Sequence, residues 1–200
     1  MTSLACKTVE PTLAVDQKDA EEAVRTLLRW IGDDPDREGL RETPARVARA
    51  FAEWFSGYGQ NTSAILSKTF GEVDHYDDIV HLRGIRLESY CEHHLAPIIG
   101  TADVAYVPRS RVVGLSKLAR LVDAYSKRLQ IQEKLTVQIA NAIESALNPR
   151  GIAIMIRAEH HCMATRGVHK HGVDTITNRF TGVFQSDQSL QQRFLTMAGA

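Results

Sequence analysis

The chain has 200 residues, with 24 Lys plus Arg balanced by 24 Asp plus Glu and a hydrophobic fraction of 44%. That length holds one domain with a sizeable core, and a net charge of zero offers no basic field to a nucleic acid or a membrane surface. The apolar runs fall short of the roughly 18 residues a membrane span needs. The N-terminus lacks the basic start and continuous apolar core of a secretory signal, so a cytoplasmic protein with a small-molecule partner is expected.

Residues 1–15 show no amphipathic period and read as a mobile tail; a helical region over 16–77 and a catalytic region over 78–200 are expected to follow. Asp16 is placed to cap a helix through Ile31, with Ala23, Leu27 and Trp30 as its apolar stripe. Gly32 and the acids Asp33, Asp34 and Asp36 end it in a solvated loop. In ETPARVARAFAEWF, Thr43 is read as the cap and Pro44 as the first helical residue, with Val47, Phe51, Trp54 and Phe55 turned to a core.

From about Asp78 the apolar period shortens towards two. IVHLRGIRLESYC and TADVAYV predict an antiparallel pair on either side of CEHHLAP, with Gly100 and Gly114 at turns. LSKLARLVDAYSKRLQIQEKLTVQIANAIESAL is helical, with Ser116 as a cap and a change of direction near residues 129–131. GIAIMIRAEHHC and DTITNRFTGVF return to strand, and a helix through LQQRFLTM closes the chain. The order describes an α+β protein.

CEHHLAP, residues 91–97, concentrates the chemistry. Cys91 and His94 have the spacing that turns a thiolate and an imidazole onto one ion from a tight loop, and zinc accepts both. Cys162 in EHHCMATRG, at the end of another predicted strand, makes a third ligand. Three protein ligands leave one position for water, the pattern of a catalytic rather than a closed structural zinc. Cys6 in the tail has no such neighbours, and three cysteines far apart do not make a disulfide framework. Glu92 reads either as an outward carboxylate or as a group that orients a histidine.

From Glu88 to Phe184 the chain resembles type I GTP cyclohydrolase. The resemblance is carried by CEHHLAP, by VGLSKLARLVDAYSKRLQIQEKLT and by HHCMATRGVHK, with TPARVA matching upstream. It implies a zinc enzyme that converts GTP to 7,8-dihydroneopterin triphosphate and formate at the start of folate or biopterin synthesis. It also implies a tunnelling (T-fold) α+β architecture, with N-terminal helices, an antiparallel sheet and a long helical pair. Sheets of neighbouring subunits would join into a β-barrel, and two pentamers into a toroidal homodecamer with active sites at subunit interfaces.

Residue by residue, the resemblance makes Cys91, His94 and Cys162 the ligands of one Zn²⁺ per subunit and His93 and His160 the proton-transfer groups. Glu133 would grip the guanine edge, with Gln132 close to the nucleotide. Ser116, Lys117, Arg120 and Arg166, with Arg46 from another subunit, would bind the triphosphate.

Val173 and Asn178 stand where hydroxyl-bearing residues are expected, which weakens any substrate contact assigned to that strand. Two other readings compete. One is the related reductase of a nitrile-bearing deazaguanine, which uses a cysteine nucleophile and NADPH. The other is a non-catalytic protein in which zinc staples two strands, which needs a fourth ligand. His161 is the nearest candidate, but on a strand it would face away from Cys162.

Overall fold

The computed structural model describes residues 15–71 and 76–199, in two compact units, Met1–Glu53 and Trp54–Ala200. Apart from Val15, the tail expected over 1–15 lies outside the described residues, and Cys6 with it.

In the first unit, α1 (Gln17–Trp30) begins as expected at Asp16. The Asp16 carboxylate accepts the Asp19 amide hydrogen at 3.0 Å, and the Asp19 carboxylate accepts that of Asp16 at 3.1 Å, a reciprocal cap that satisfies two otherwise orphaned donors. The predicted stripe enters no core: no residue of α1 is buried, and Trp30 is 81% exposed. The acidic loop is exposed but paired, with Arg37 gripping Asp33 through two bonds of 2.8 and 2.9 Å and Arg25 reaching Asp36 at 3.3 Å. The helix α2 (Thr43–Trp54) starts one residue early, so Thr43 is within it and Pro44 is buried in its first turn.

The second unit is built on a five-stranded sheet in the order β5-β2-β3-β6-β7. Its strands are β2 (Val80–Cys91), β3 (Pro97–Val107), β5 (Leu129–Gln130), β6 (Gly151–His160) and β7 (Asp174–Phe180). All pairings are antiparallel except the short β5, which joins β2 in parallel. A separate two-stranded ribbon pairs β1 (Thr69–Phe70) with β4 (Val112–Val113).

Strand β6 shows why the sheet has helices on both sides. Its sequence GIAIMI is a continuous apolar run, as expected of a strand covered on two faces. Ile152, Ile154 and Ile156 join the core made with α4 (Leu115–Ser126) and α5 (Gln132–Leu147), whereas Ala153 and Met155 join a second core with Phe184 and Phe194. The latter two come from α7 (Val183–Ser186) and α8 (Gln188–Ala198).

Several boundaries differ from expectation. Gly114, not Ser116, precedes α4, whereas the helical stretch is broken by β5 at the place where a change of direction is expected. Gly100 lies inside β3 rather than at a turn: it faces Ala158 across the ladder, where a Cβ would fall on the Arg157 carbonyl. Strand β6 stops at His160, and the chain then makes the helical turn α6 (His161–Ala164) instead of continuing as strand through Cys162. The remaining short elements are a 3₁₀ turn (Ser56–Gly59) and α3 (Thr62–Ile65).

Candidate metal centre

Cys91 is the last residue of β2, and the loop after it is tied back onto the sheet. Its amide hydrogen is donated to the Ala96 carbonyl at 2.8 Å, while its own carbonyl accepts from Leu95 at 2.9 Å. Glu92 donates its amide hydrogen to the Gln130 carbonyl at 3.1 Å, fixing the loop to β5. This tight closure puts Leu95 at φ +54°, in the left-handed region that side chains with a Cβ rarely adopt. The loop side chains of Glu92, His93, His94 and Leu95 are exposed, but the Cys91 thiol is buried, with His94 Nδ1 3.7 Å and His93 Nδ1 3.8 Å from its sulfur.

The sheet register brings the second cluster to the same rim. Tyr90 is opposite Pro97 in β3, and the next β3 residue, Ile98, is opposite His160 at the end of β6. The turn α6 then swings Cys162 in. The ligand atoms of Cys91, His94 and Cys162 all lie within 4.8 Å of one another, the group among the described residues that could hold a metal ion.

Two sulfurs and an imidazole are a donor set suited to zinc. Metal–ligand bonds of about 2.0–2.3 Å give a tetrahedron with edges of roughly 3.3–3.8 Å, so closing on an ion asks each side chain to move by about an ångström at most. Without a cation the Cys162 thiol is pushed up from its ordinary pKa, first by burial and then by hydrogen bonding and charge from Cys91, with Arg166 opposing. Arg166 Nη1 also donates to His94 Nε2 at 3.1 Å. His161 shares the helical turn with Cys162, so the strand alternation expected for the two does not occur.

Beside this group, His160 Nε2 lies 2.8 Å from Gln132 Oε1. Gln132 opens α5 and is 1% exposed. Its amide nitrogen shares two hydrogens among the carbonyls of Ile156 at 3.1 Å and Thr175 at 2.9 Å and Thr177 Oγ1 at 3.2 Å. Burial holds the His160 imidazole below its ordinary pKa, with the charge of Glu133 opposing. Glu133 is the exposed neighbour of Gln132 in the first turn of α5. Glu92 stands 4.0 Å from both His93 Nε2 and Lys134 Nζ, so it sits beside a loop histidine and a helix cation alike.

Sequence reasoning missed Thr136, Thr175 and Thr177. The signal was present in DTIT, where Thr175 and Thr177 alternate with exposed residues and turn towards α5. Val173 and Asn178, the departures from the family pattern, are both exposed.

Three predicted residues of the same unit are not brought to this rim. Ser116, Lys117 and Arg120 occupy the first half of α4, which starts beside Val113; the Val113 amide is 3.4 Å from the Tyr106 hydroxyl, and Tyr106 pairs with Val80 at the far end of β2. The helix ends near the metal centre, where the Arg128 carbonyl lies 3.4 Å from Ser89 Oγ. Twelve residues of helix span about 18 Å, so these three lie towards the opposite end of the sheet from Cys91. Arg46 is exposed on α2, in the first unit.

Comparisons with known proteins add the family. The curated "GTP cyclohydrolase 1" of Hyphomonas neptunium is 59% identical over 183 residues, covering 92% of this chain and 89% of that protein. The protein of the same name from Pelagibacter ubique is 54% identical over 184 residues, covering 92% and 91%. Among solved structures, the apo form of the archaeosine synthase QueF-Like aligns with 52% of this chain and 94% of its own, at 23% identity and a TM-score of 0.44. The model of the family described as GTP cyclohydrolase I matches residues 20–199. On that match and those identities, this chain belongs to the GTP cyclohydrolase I family.

Proposed function

We propose that this chain converts GTP and water to 7,8-dihydroneopterin triphosphate and formate, using one Zn²⁺ per subunit held by Cys91, His94 and Cys162. The observation that carries the reading is the meeting of this three-ligand group with His93 and His160 at one sheet rim, in a chain of this family. The α+β architecture agrees with the tunnelling fold.

Held by Cys91, His94 and Cys162, a zinc ion would supply Lewis acidity of the kind that activates water near neutral pH. The protein's own groups do the rest. Opening the imidazole ring of guanine consumes two waters: the first adds across C8 and breaks one C–N bond to leave a formamide, and the second breaks the other, so both ring nitrogens gain protons and C8 leaves as formate. Imidazoles accept and return protons near neutrality, and His93 and His160 serve here. His160, whose burial disfavours its charged form, gives its proton up readily. The Glu133 carboxylate accepts hydrogen bonds from the N1 and N2 protons of guanine, with Gln132 beside it, and Arg166 offers a planar donor fork to the triphosphate. The later ribose rearrangement moves protons in the same way, and closure of the pterin ring joins the freed amine to the ribose-derived carbonyl with loss of water, which returns one of the two waters consumed.

Ser116, Lys117, Arg120 and Arg46 enter the pocket from neighbouring copies in a homodecamer of two pentamers, whose sheets join into a barrel. What supports this is the placing of the first three on the far half of α4, away from their own metal centre. No helix among the described residues is long and apolar enough to cross a membrane, in keeping with a cytoplasmic site of action.

The experiment is to incubate the zinc-loaded protein with GTP and follow formate together with the fluorescence of the oxidised pterin, using Cys162→Ser as control. Both products are expected, and both should vanish in the control. A metal-replete protein that yields neither overturns the reading.

A further inference from the structure

The hydrogen bonds around Gln132 have a direction. Its amide nitrogen faces the carbonyls of Ile156 and Thr175. Turned over, the amide would set an oxygen against two carbonyl oxygens, with no proton between them. The amide oxygen must therefore face His160 Nε2 at 2.8 Å, and that nitrogen must carry the hydrogen. Because the ring's Nε2 is engaged in this way, its Nδ1 is the nitrogen left with a lone pair in the neutral form.

Two threonines hold the amide in that sense. Thr136 Oγ1 donates its single hydrogen to the Gln132 main-chain carbonyl at 2.8 Å. It is also 2.7 Å from Thr177 Oγ1, so Thr177 must be the donor of that second bond. Thr177 Oγ1 is then free to accept from the Gln132 amide nitrogen at 3.2 Å, sharing one of the amide's two hydrogens with a neighbouring carbonyl. The loop of bonds runs from Thr177 to Thr136, from Thr136 to the Gln132 backbone, and from the Gln132 side chain back to Thr177. Thr136 and Gln132 are each 1% exposed, so water does not substitute for a lost partner at low cost.

We propose that Thr177, acting through Thr136 and the Gln132 amide, is a positioning residue that fixes the His160 ring in one orientation with its hydrogen on Nε2. It assigns a task to β7, the strand in which exposed Asn178 departs from the family pattern. Thr177 touches no reacting atom; its effect reaches the chemistry through His160, and this part of the inference rests on the proposed conversion of GTP.

The test compares Thr177→Val, which keeps the shape and removes the hydroxyl, with Thr177→Ser, which keeps the hydroxyl. In zinc-loaded Thr177→Val, kcat should fall by about ten- to a hundredfold, the range that misplacement of a reacting group produces. KM for GTP and zinc content should stay close to those of the parent, and Thr177→Ser should recover most of the rate.

Crystal structures of the parent and Thr177→Val give an answer that does not need turnover. The parent should show the Gln132 amide against the Ile156 and Thr175 carbonyls with its oxygen on His160, and the valine variant should show a rotated amide or a displaced His160 ring. A valine variant with an unmoved ring and parental kcat overturns the proposal, as does a serine variant no better than valine. If the parent makes no formate from GTP, the proposed function fails, while the crystal comparison still decides whether Thr177 fixes the ring.

Discussion

The Cys91 amide hydrogen is donated to the carbonyl of Ala96, 2.8 Å away, so the loop that presents His93 and His94 begins and ends on one backbone bond. That closure forces Leu95 to φ +54°. A left-handed conformation costs a residue with a Cβ roughly 1–2 kcal/mol and a β-branched one more. Leu95→Val should therefore loosen the loop, lowering both the melting temperature and the affinity for zinc in a competition with a chelator. Leu95→Gly should hold zinc as well as the parent. Equal zinc affinity in the valine variant would mean that the loop does not depend on this turn.

Lys117 and Cys162 belong to one pocket in the proposed assembly but to different chains. Lys117→Ala and Cys162→Ser should each be inactive alone. Co-expressed or mixed by reversible dissociation, they should recover a fraction of the parental rate, because some interfaces then pair an intact metal centre with an intact Lys117. No recovery in mixed oligomers, or a stable monomer by light scattering, would contradict shared sites.

Gly100 allows β3 and β6 to approach. A Cβ there would meet the Arg157 carbonyl and come within 2.6 Å of the Ala158 Cα, both backbone atoms that cannot swing aside. Overpacking of this kind costs about 1–3 kcal/mol and sometimes more, so Gly100→Ala should lower the unfolding free energy from denaturant titration by that amount. The same shift would disturb the register that sets Ile98 opposite His160, and turnover should fall more than the loss of folded protein explains.

Arg193 holds Asp78 through bonds of 3.1 and 3.0 Å, joining α8 to the start of β2. The bond from Arg193, followed by the Ile79 amide, keeps the Asp78 carboxyl below its ordinary pKa. A depressed carboxylate pKa contributes stability that is fully present above the unfolded value of about 3.9 and is lost as pH falls through the folded one. Arg193→Gln should therefore lower the melting temperature at pH 7 and low salt. The gap from the parent should narrow below about pH 4 and in high salt. A gap that does not change with pH would mean that packing, not charge, is what the variant loses.

Local chemistry made much of this legible in the sequence. The cap at Asp16 and the strand periods before and after CEHHLAP depend on residues a few positions apart, as does the apolar run of β6, and all reappear in the fold. The metal group was legible because zinc needs few residue types at short spacing, and the two halves lay on predicted strand ends. The misses depend on distant partners. Trp30 is apolar by helical period, yet nothing in its own segment says whether a surface waits for it. Gly100 resembles a turn residue until Ala158 is placed against it. Thr177 is an ordinary strand threonine until α5 delivers Gln132 to its hydroxyl.

Strand β6, walled in on both faces, has a consequence for how the molecule breathes. Amide hydrogens escape to solvent only when the backbone around them opens, and the last to exchange are those whose release requires the whole core to come apart. Ile152, Ile154 and Ile156 belong to one core and Ala153 and Met155 to the other, so β6 cannot open without disturbing both. His160 is thus expected at the tip of the segment whose amides exchange last, while those of the exposed loop of His93 and His94 at the same rim, held by a few backbone bonds, should exchange sooner.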